Sequence, residues 1–346
     1  MKVSEKGTKM KKALLTLTAM AAIGFASSAL AETKLTIANW LPPTHPLFSD
    51  VVVKMAENIT EATGGEVTTS VLPAPLGPPP AQFDIAANGV ADITFGVQGY
   101  TAGRFKTFNL AELPFLGDSA EAISVAYWNT YDKMLKDAGE YDKVKVLAVF
   151  AHGPGAIFLK EGDVASPDVL NGQKLRVGGG FVHKVATALG AVPVEGPSSK
   201  AYELLSQGVA DGILFPFESV NAFKLIPELS TAITVPGGLY NTSFFIVMNK
   251  AKWDSLTPEQ QAEIDSVTGE ALARLAGQMW DREDAKGRAA MEGKITVSPA
   301  TEAQLAAWRE ALQPAVDAQI TEVSASGIDG KAARELFMAE LEAASK

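Results

Sequence analysis

The stretch 257–292 limits the shape of this chain more than any other. Thr257 can cap a helix, Pro258 suits its first turn, and Gln260 completes a capping box. Ile264, Val267, Ala271, Leu275 and Met279 then recur at helical spacing. At 1.5 Å per residue, a helix of that extent is about 50 Å long, longer than one small domain is wide. The pattern therefore predicts a strut that crosses two domains. Chain length agrees. Of 346 residues, 315 lie beyond Ala31, which is long for a single core.

The rest of the chain alternates strands with helices, the signature of an α/β architecture. Residues 34–40 alternate polar and apolar side chains as a strand does, and a proline-stiffened loop follows (Pro42, Pro43, Pro46). A helix over 47–63 ends at Gly64-Gly65. Strands are expected at 66–72 and 91–97, with a helix at 82–88 between them. The runs 144–151 and 244–249 are nearly all apolar, as strands buried on both faces are. His152-Gly153-Pro154-Gly155 breaks the first run sharply and marks a crossing between domains; the second run returns the chain. We expect domain I to comprise 32–151 with about 243–280, and domain II 152–242 with about 281–346. Two further helices carry Leu305, Trp308, Leu312, Val316, Ile320 and Val323, then Leu336, Phe337 and Leu341, with a kink expected at Pro314.

Residues 1–31 have the three parts of a secretory signal peptide. Five lysines open it, a fourteen-residue apolar run (13–26) follows, and Ala29-Leu30-Ala31 ends it. The run is too short to span a bilayer, which takes about 20 residues. Cleavage is expected after Ala31, placing the protein in the periplasm. The sequence has no cysteine, so disulfides, thiol nucleophiles and cysteine metal sites are excluded. The leader has five lysines and one glutamate, so the net charge of −10 becomes −14 beyond it. Nucleic acid is an unsuitable partner for such a chain.

One arginine has the setting of a ligand anchor. Arg176 ends the short strand Lys174–Val177 and is followed by Gly178, Gly179 and Gly180. A guanidinium offers two parallel donors to a carboxylate, and glycines let ligand and backbone approach closely. These glycines lack the spacing of a nucleotide cradle. Trp40, Gln98 and Tyr100 stand at strand ends, where α/β sheets line ligand crevices. His152 at the crossing is a candidate donor to the ligand. Phe215, after the strand that begins at Asp211-Gly212, is a candidate apolar wall. Tyr240 lies near the return crossing. The stretch 213–217 has neither acid nor amide, which argues against a metal bridging ligand and protein. His45, His152 and His183 lack metal-ligand spacing, and no nucleophile–base set is evident. Asp281-Arg282-Glu283-Asp284 reads as a solvated face.

The patterns K-L-R-V (174–177), L-G-A-x-P-V (189–194) and Y-E-L-L-x-x-G-V-x-D-G (202–212) together resemble the DctP-like substrate-binding subunit of tripartite ATP-independent periplasmic (TRAP) transporters. Gly77, A-A-N-G-V-A-D (86–92), L-P-F-L-G-D (113–118) and N-K-A-K-W-D-S-L (249–256) extend the resemblance over most of the chain, in order. The resemblance implies a two-lobed α/β solute-binding protein with an interdomain cleft and a long helix spanning both domains. It implies that Arg176 binds a ligand carboxylate and that the partner is a membrane permease. It implies no enzyme activity and no cofactor. The stretch H-G-P-G-A-I-F (152–158) has no arginine, so a second arginine clamp is not expected. The aromatic candidates favour an apolar or aromatic monocarboxylate over a sugar acid, and we expect a monomer. A ligand-sensing module for a receptor and an exported hydrolase are the alternatives.

Overall fold

The computed structural model describes residues 33–162 and 168–346. The proposed leader lies outside the described residues. Among those described, no helix is long and apolar enough to cross a membrane.

Eleven strands form two sheets: β1 (Thr33–Ile37), β2 (Val67–Val71), β3 (Ile93–Val97), β4 (Val144–Ala151), β5 (Ala156–Leu159), β6 (Lys174–Val177), β7 (Val192–Glu195), β8 (Gly212–Phe215), β9 (Thr231–Thr234), β10 (Ser243–Asn249) and β11 (Thr296–Pro299). The first sheet has the order β2-β1-β3-β10-β4, the second β11-β9-β5-β8-β6-β7. β1 runs parallel to β2 and β3, whereas β10 is antiparallel to β3 and β4. The near-continuous apolar sequences of β4 and β10 match the burial of their side chains, with β10 inside the sheet and β4 at its edge. In the second sheet β6 is parallel to β7 and β8, and β5 is antiparallel to β8 and β9.

The chain passes between sheets at 152–155 and again at 235–242, and the two crossings lie side by side. The Gly155 N–H donates to the Tyr240 carbonyl (2.8 Å), the His152 N–H to the Thr242 carbonyl (3.0 Å), and Asn241 Nδ2 to the His152 and Gly153 carbonyls (2.7 and 3.0 Å). These bonds hold the two crossings in register with each other.

The strut exists, but it is broken where the periodicity suggests continuity. Helices Pro258–Val267 and Glu270–Met291 are separated at Gly269, whose φ of 63° lies in the left-handed region open to glycine. Its N–H leaves the helical ladder and donates to the Leu147 carbonyl of β4 at 2.6 Å. The capping box at Thr257 and Gln260 is present. The second piece, 22 residues or about 33 Å long, still touches both lobes. Leu272, Ala276, Met279 and Trp280 enter the first-lobe core, and Met291 enters the second. Gly287 packs so closely on the Phe217 backbone that no Cβ would fit.

The acidic run on this helix is not simply solvated. Asp281 accepts from the N–H groups of Ala120 and Glu121 (2.6 and 3.1 Å), capping the helix Ala120–Lys133. Asp284 is buried and accepts from the Glu218 N–H at 2.7 Å. Pro314 sits inside Glu302–Ser324, which continues through it as one helix. The final helix, Gly330–Ala344, packs on Ala120–Lys133, so the end of the chain lies against the first lobe rather than wholly with the second.

Candidate functional site

Arg176 is 1 % exposed, at the end of β6. Its Nε and Nη2 both donate to the Gly196 carbonyl (3.0 and 2.5 Å), and its guanidinium carbon stands 4.5 Å from the centre of the Phe215 ring. Among the described residues it forms no ion pair with a carboxylate. A buried charge without a counter-ion costs several kcal/mol. A carbonyl dipole and an aromatic face offset only part of that. The guanidinium is therefore left without a neutralising partner among the described residues.

The guanidinium faces a cavity of about 480 Å³ between the lobes, counting its open mouth. Six of the expected residues, Trp40, Tyr100, His152, Arg176, Phe215 and Tyr240, line it together. Trp40 follows β1; its indole N–H is committed to the Phe95 carbonyl (2.9 Å), so it offers the cavity ring surface only. Tyr100 follows β3 and reaches across the cleft, its hydroxyl accepting from the Ser198 N–H at 2.9 Å. Phe215 stacks on Phe223, with ring centres 6.0 Å apart. Burial pushes the Tyr240 hydroxyl well above its ordinary range, against the pull of the nearby Arg176 charge. Tyr240 serves as wall as well as turn.

Gln98 does not belong to this set. It is fully buried, and its Nε2 donates to the hydroxyls of Tyr127 (2.5 Å) and Tyr141 (2.7 Å). The chain turns at the end of β3, so Gln98 points into the first-lobe core and Tyr100 toward the cleft. His152 differs from expectation in another way. Its Nδ1 is 2.5 Å from the Gly153 carbonyl, which can only accept, so Nδ1 carries the proton. Burial lowers its pKa to about 4. The ring is neutral, and its second nitrogen is an acceptor rather than the donor expected.

Other residues entered the site unforeseen. His45 lines the cavity; its Nδ1 accepts from the Leu47 N–H (3.2 Å), and its Nε2 lies 3.6 Å from Glu218 Oε1. Glu218, an acid shortly after β8, does not line the cavity and stands behind His45. It is buried one residue into the helix Phe217–Ala222, and Ser219 Oγ donates to its Oε2 at 2.7 Å. Burial lowers His45 to about 4 and raises Glu218 to about 8, so both are neutral at pH 7. The sequence signal was faint: a histidine between prolines, and a Phe-Glu-Ser after Pro216. Trp280, from the strut, completes the wall. With both histidines neutral, Arg176 is the single full charge among the lining residues. No group of three or more metal-ligating side chains occurs among the described residues.

The lobes meet directly around this cavity. Gly99 packs on the Gly179–Gly180 backbone, where a Cβ on Gly99 would come within 3.0 Å of the Gly180 nitrogen. The glycine triplet thus serves lobe contact as well as ligand access. Glu112 bridges the lobes: Oε2 accepts from the Phe181 N–H (3.0 Å), and Oε1 from the Ser243 N–H (2.9 Å) and hydroxyl (2.8 Å).

Two α/β lobes joined by paired crossings, with a cavity between them lined by one buried cation, are the arrangement of a solute-binding protein. Residues 37–322 match the family model described as bacterial extracellular solute-binding protein, family 7. The chain belongs to this family, the non-enzymatic binding subunits of TRAP transporters. A TRAP periplasmic solute-binding protein from Bordetella bronchiseptica, solved with (R)- and (S)-mandelate bound, is similar at 40% identity and a TM-score of 0.87, covering 90% of this chain and 99% of that one. A marine-metagenome TRAP protein, described as specific for aromatic acid ligands and solved with metahydroxyphenylacetate, is 35% identical with a TM-score of 0.85, covering 91% and 100%. A curated relative from Comamonas testosteroni, named outer membrane transporter protein TsaT, is 30% identical over 95% of this chain and 98% of its own length.

The buried carboxyls give a pH signature. Burial raises Glu112, Glu218 and Asp284 to about 7, 8 and 7, from ordinary values of 4.5, 4.5 and 3.8. Each holds a proton in the folded state that the unfolded chain has released, so its contribution is lost as pH rises through the folded value. His45 and His152, lowered from 6.5 to about 4, act oppositely: their contribution is complete above about 6.5 and lost as pH falls toward 4. Above pH 6.5 only the carboxyls act. The melting temperature at fixed ionic strength should therefore fall between about pH 6.5 and 8.5, and less steeply in Glu112→Gln. A flat or rising profile would contradict the assignment.

Proposed function

We propose that this chain captures an apolar or aromatic monocarboxylate in the cleft, held through its carboxylate by Arg176, and delivers it to a TRAP-type membrane permease. The observation that carries this reading is a lone buried guanidinium in an otherwise uncharged, aromatic cavity. One cation suits one anion. A dicarboxylate would leave a second buried charge without a cationic partner, at a cost of several kcal/mol. A sugar acid would bring hydroxyls to walls made largely of Trp40, Phe215, Phe223 and Phe244. The aromatic acids bound by the relatives in Bordetella bronchiseptica and the marine metagenome support the same class.

The magnitudes are consistent with useful affinity. Micromolar binding takes about −8 kcal/mol. Charge-assisted bonds contribute roughly 1.5–3 kcal/mol each, and burying a ring of about 150 Å² adds on the order of 4 kcal/mol, before ordering costs. Neither anchor nor wall suffices alone. Closure follows because the ligand reaches both lobes only when they meet, and so stabilises that state. We take 32–151 with 243–280, and 152–242 with the segment through β11, as the bodies that move.

The leader belongs to the same proposal: removal after Ala31 places the protein where the permease collects its solute. N-terminal sequencing of the periplasmic form should begin at Glu32; an intact cytoplasmic chain would contradict export. For the anchor, calorimetry with aromatic monocarboxylates should show micromolar binding or tighter, ahead of dicarboxylates and sugar acids. Arg176→Ala should weaken it by about 100-fold or more, the equivalent of two charge-assisted bonds. Arg176→Lys should recover part, since an ammonium keeps the charge without the planar fork. Unchanged affinity in Arg176→Ala would refute the anchor.

A further inference from the structure

His152 stands at the end of β4, held on every side by bonds that leave one atom over. Its backbone N–H donates to the Thr242 carbonyl, and its carbonyl accepts from Asn241 Nδ2. Its ring meets three aromatic neighbours edge-on or steeply inclined: Tyr240 at 5.5 Å, Trp280 at 5.8 Å and Phe244 at 6.4 Å. The ring cannot turn without disturbing them. With Nδ1–H given to the Gly153 carbonyl, Nε2 presents a lone pair. Nε2 has no hydrogen-bond partner among the described residues, and the residue lines the cavity. The Trp280 indole N–H, though buried beside it, makes no bond to it and has none elsewhere among the described residues.

A lone pair in this place rejects an anion and calls for a donor. The carboxylate therefore belongs at Arg176, and some other part of the ligand must satisfy His152. The two groups line the same cavity as Tyr240, and the His152 ring stands at 86° to the Tyr240 ring, 5.5 Å away. A ligand that fills the space beside Tyr240 meets both. We propose that His152 Nε2 accepts a hydrogen bond from a ligand hydroxyl, so that the solute is a hydroxy-substituted aromatic monocarboxylic acid and His152 sets that preference. This rests on the carboxylate reading of Arg176 and narrows it. An unsubstituted acid would bury the Nε2 lone pair unpaired, a loss worth about tenfold in affinity. A methyl ether of the same hydroxyl would fare no better, because it has no proton to give and adds bulk.

The test is calorimetry on the purified protein with three matched sets: mandelate, phenylacetate and O-methylmandelate; 3-hydroxybenzoate, benzoate and 3-methoxybenzoate; and 3-hydroxyphenylacetate, phenylacetate and 3-methoxyphenylacetate. In at least one set the hydroxy acid should bind about tenfold or more tightly than both its partners. In His152→Phe the ratio within that set should fall to within about twofold. His152→Gln, which can turn an amide oxygen to the same place, should restore part of the ratio. A merely structural role for His152 would lower all affinities together and leave the ratios intact. Equal binding of hydroxy, unsubstituted and methoxy acids in every set, or a ratio that survives in His152→Phe, overturns the proposal while Arg176 stands. If no acid in any set binds, the carboxylate reading fails and this one falls with it. Should His152→Phe not fold, the wild-type comparison with the methyl ethers decides alone.

Discussion

A guanidinium buried without a carboxylate partner is the constraint around which this molecule is arranged. Arg176 is placed by a four-residue strand, fixed by the Gly196 carbonyl and faced by the Phe215 ring. Each of these contacts orients the group, and none neutralises it. The folded protein therefore carries an unmet electrostatic demand at the centre of its cleft. In the function proposed, an anion meets that demand with more free energy than it would gain at an exposed arginine, because charges away from bulk water are screened less. The neutrality of His45, His152 and Glu218 follows the same logic. Burial suppresses every other charge at hand, so the field in the cavity is that of Arg176 alone.

The function proposed couples this local demand to closure of the lobes. The two sheets are joined by adjacent crossings that hydrogen-bond to each other, and by a helix whose ends enter different cores. Across the cleft the lobes meet at, among other places, the Tyr100 hydroxyl on the Ser198 N–H, Glu112 on the first turn of Phe181–Ala188, His45 beside Glu218, and glycine against glycine at Gly99 and Gly179–Gly180. In the function proposed, a ligand bound to Arg176 on one lobe and resting against Trp40 on the other favours the closed state.

Much of this was legible in sequence because it rests on local rules. Alternating and continuous apolar runs located β1, β4 and β10. A glycine triplet after an arginine pointed to Arg176, and strand ends to Trp40 and Tyr100, all of which line the cavity. What escaped depends on tertiary geometry. Gln98 and Tyr100 are two residues apart, yet one enters the core to meet two tyrosine hydroxyls and the other faces the cleft. The helical periodicity runs straight through Gly269 because Ile264, Val267 and Ala271 keep their spacing on both sides of a break made by one backbone bond to β4. Asp281 and Asp284 look like surface charges until the helix ends they cap are brought from 160 and 66 residues away. The proton on His152 was unreadable, since it depends on where the next carbonyl points.

The most direct test of the account is a crystal structure of the protein with an aromatic monocarboxylate bound. The account predicts carboxylate oxygens at about 2.7–2.9 Å from the Arg176 guanidinium, the range of charge-assisted bonds, with the ring held between Trp40 and the Phe215–Phe223 pair. An acid bound outside the cleft, or inside it with its carboxylate turned away from Arg176, would contradict it.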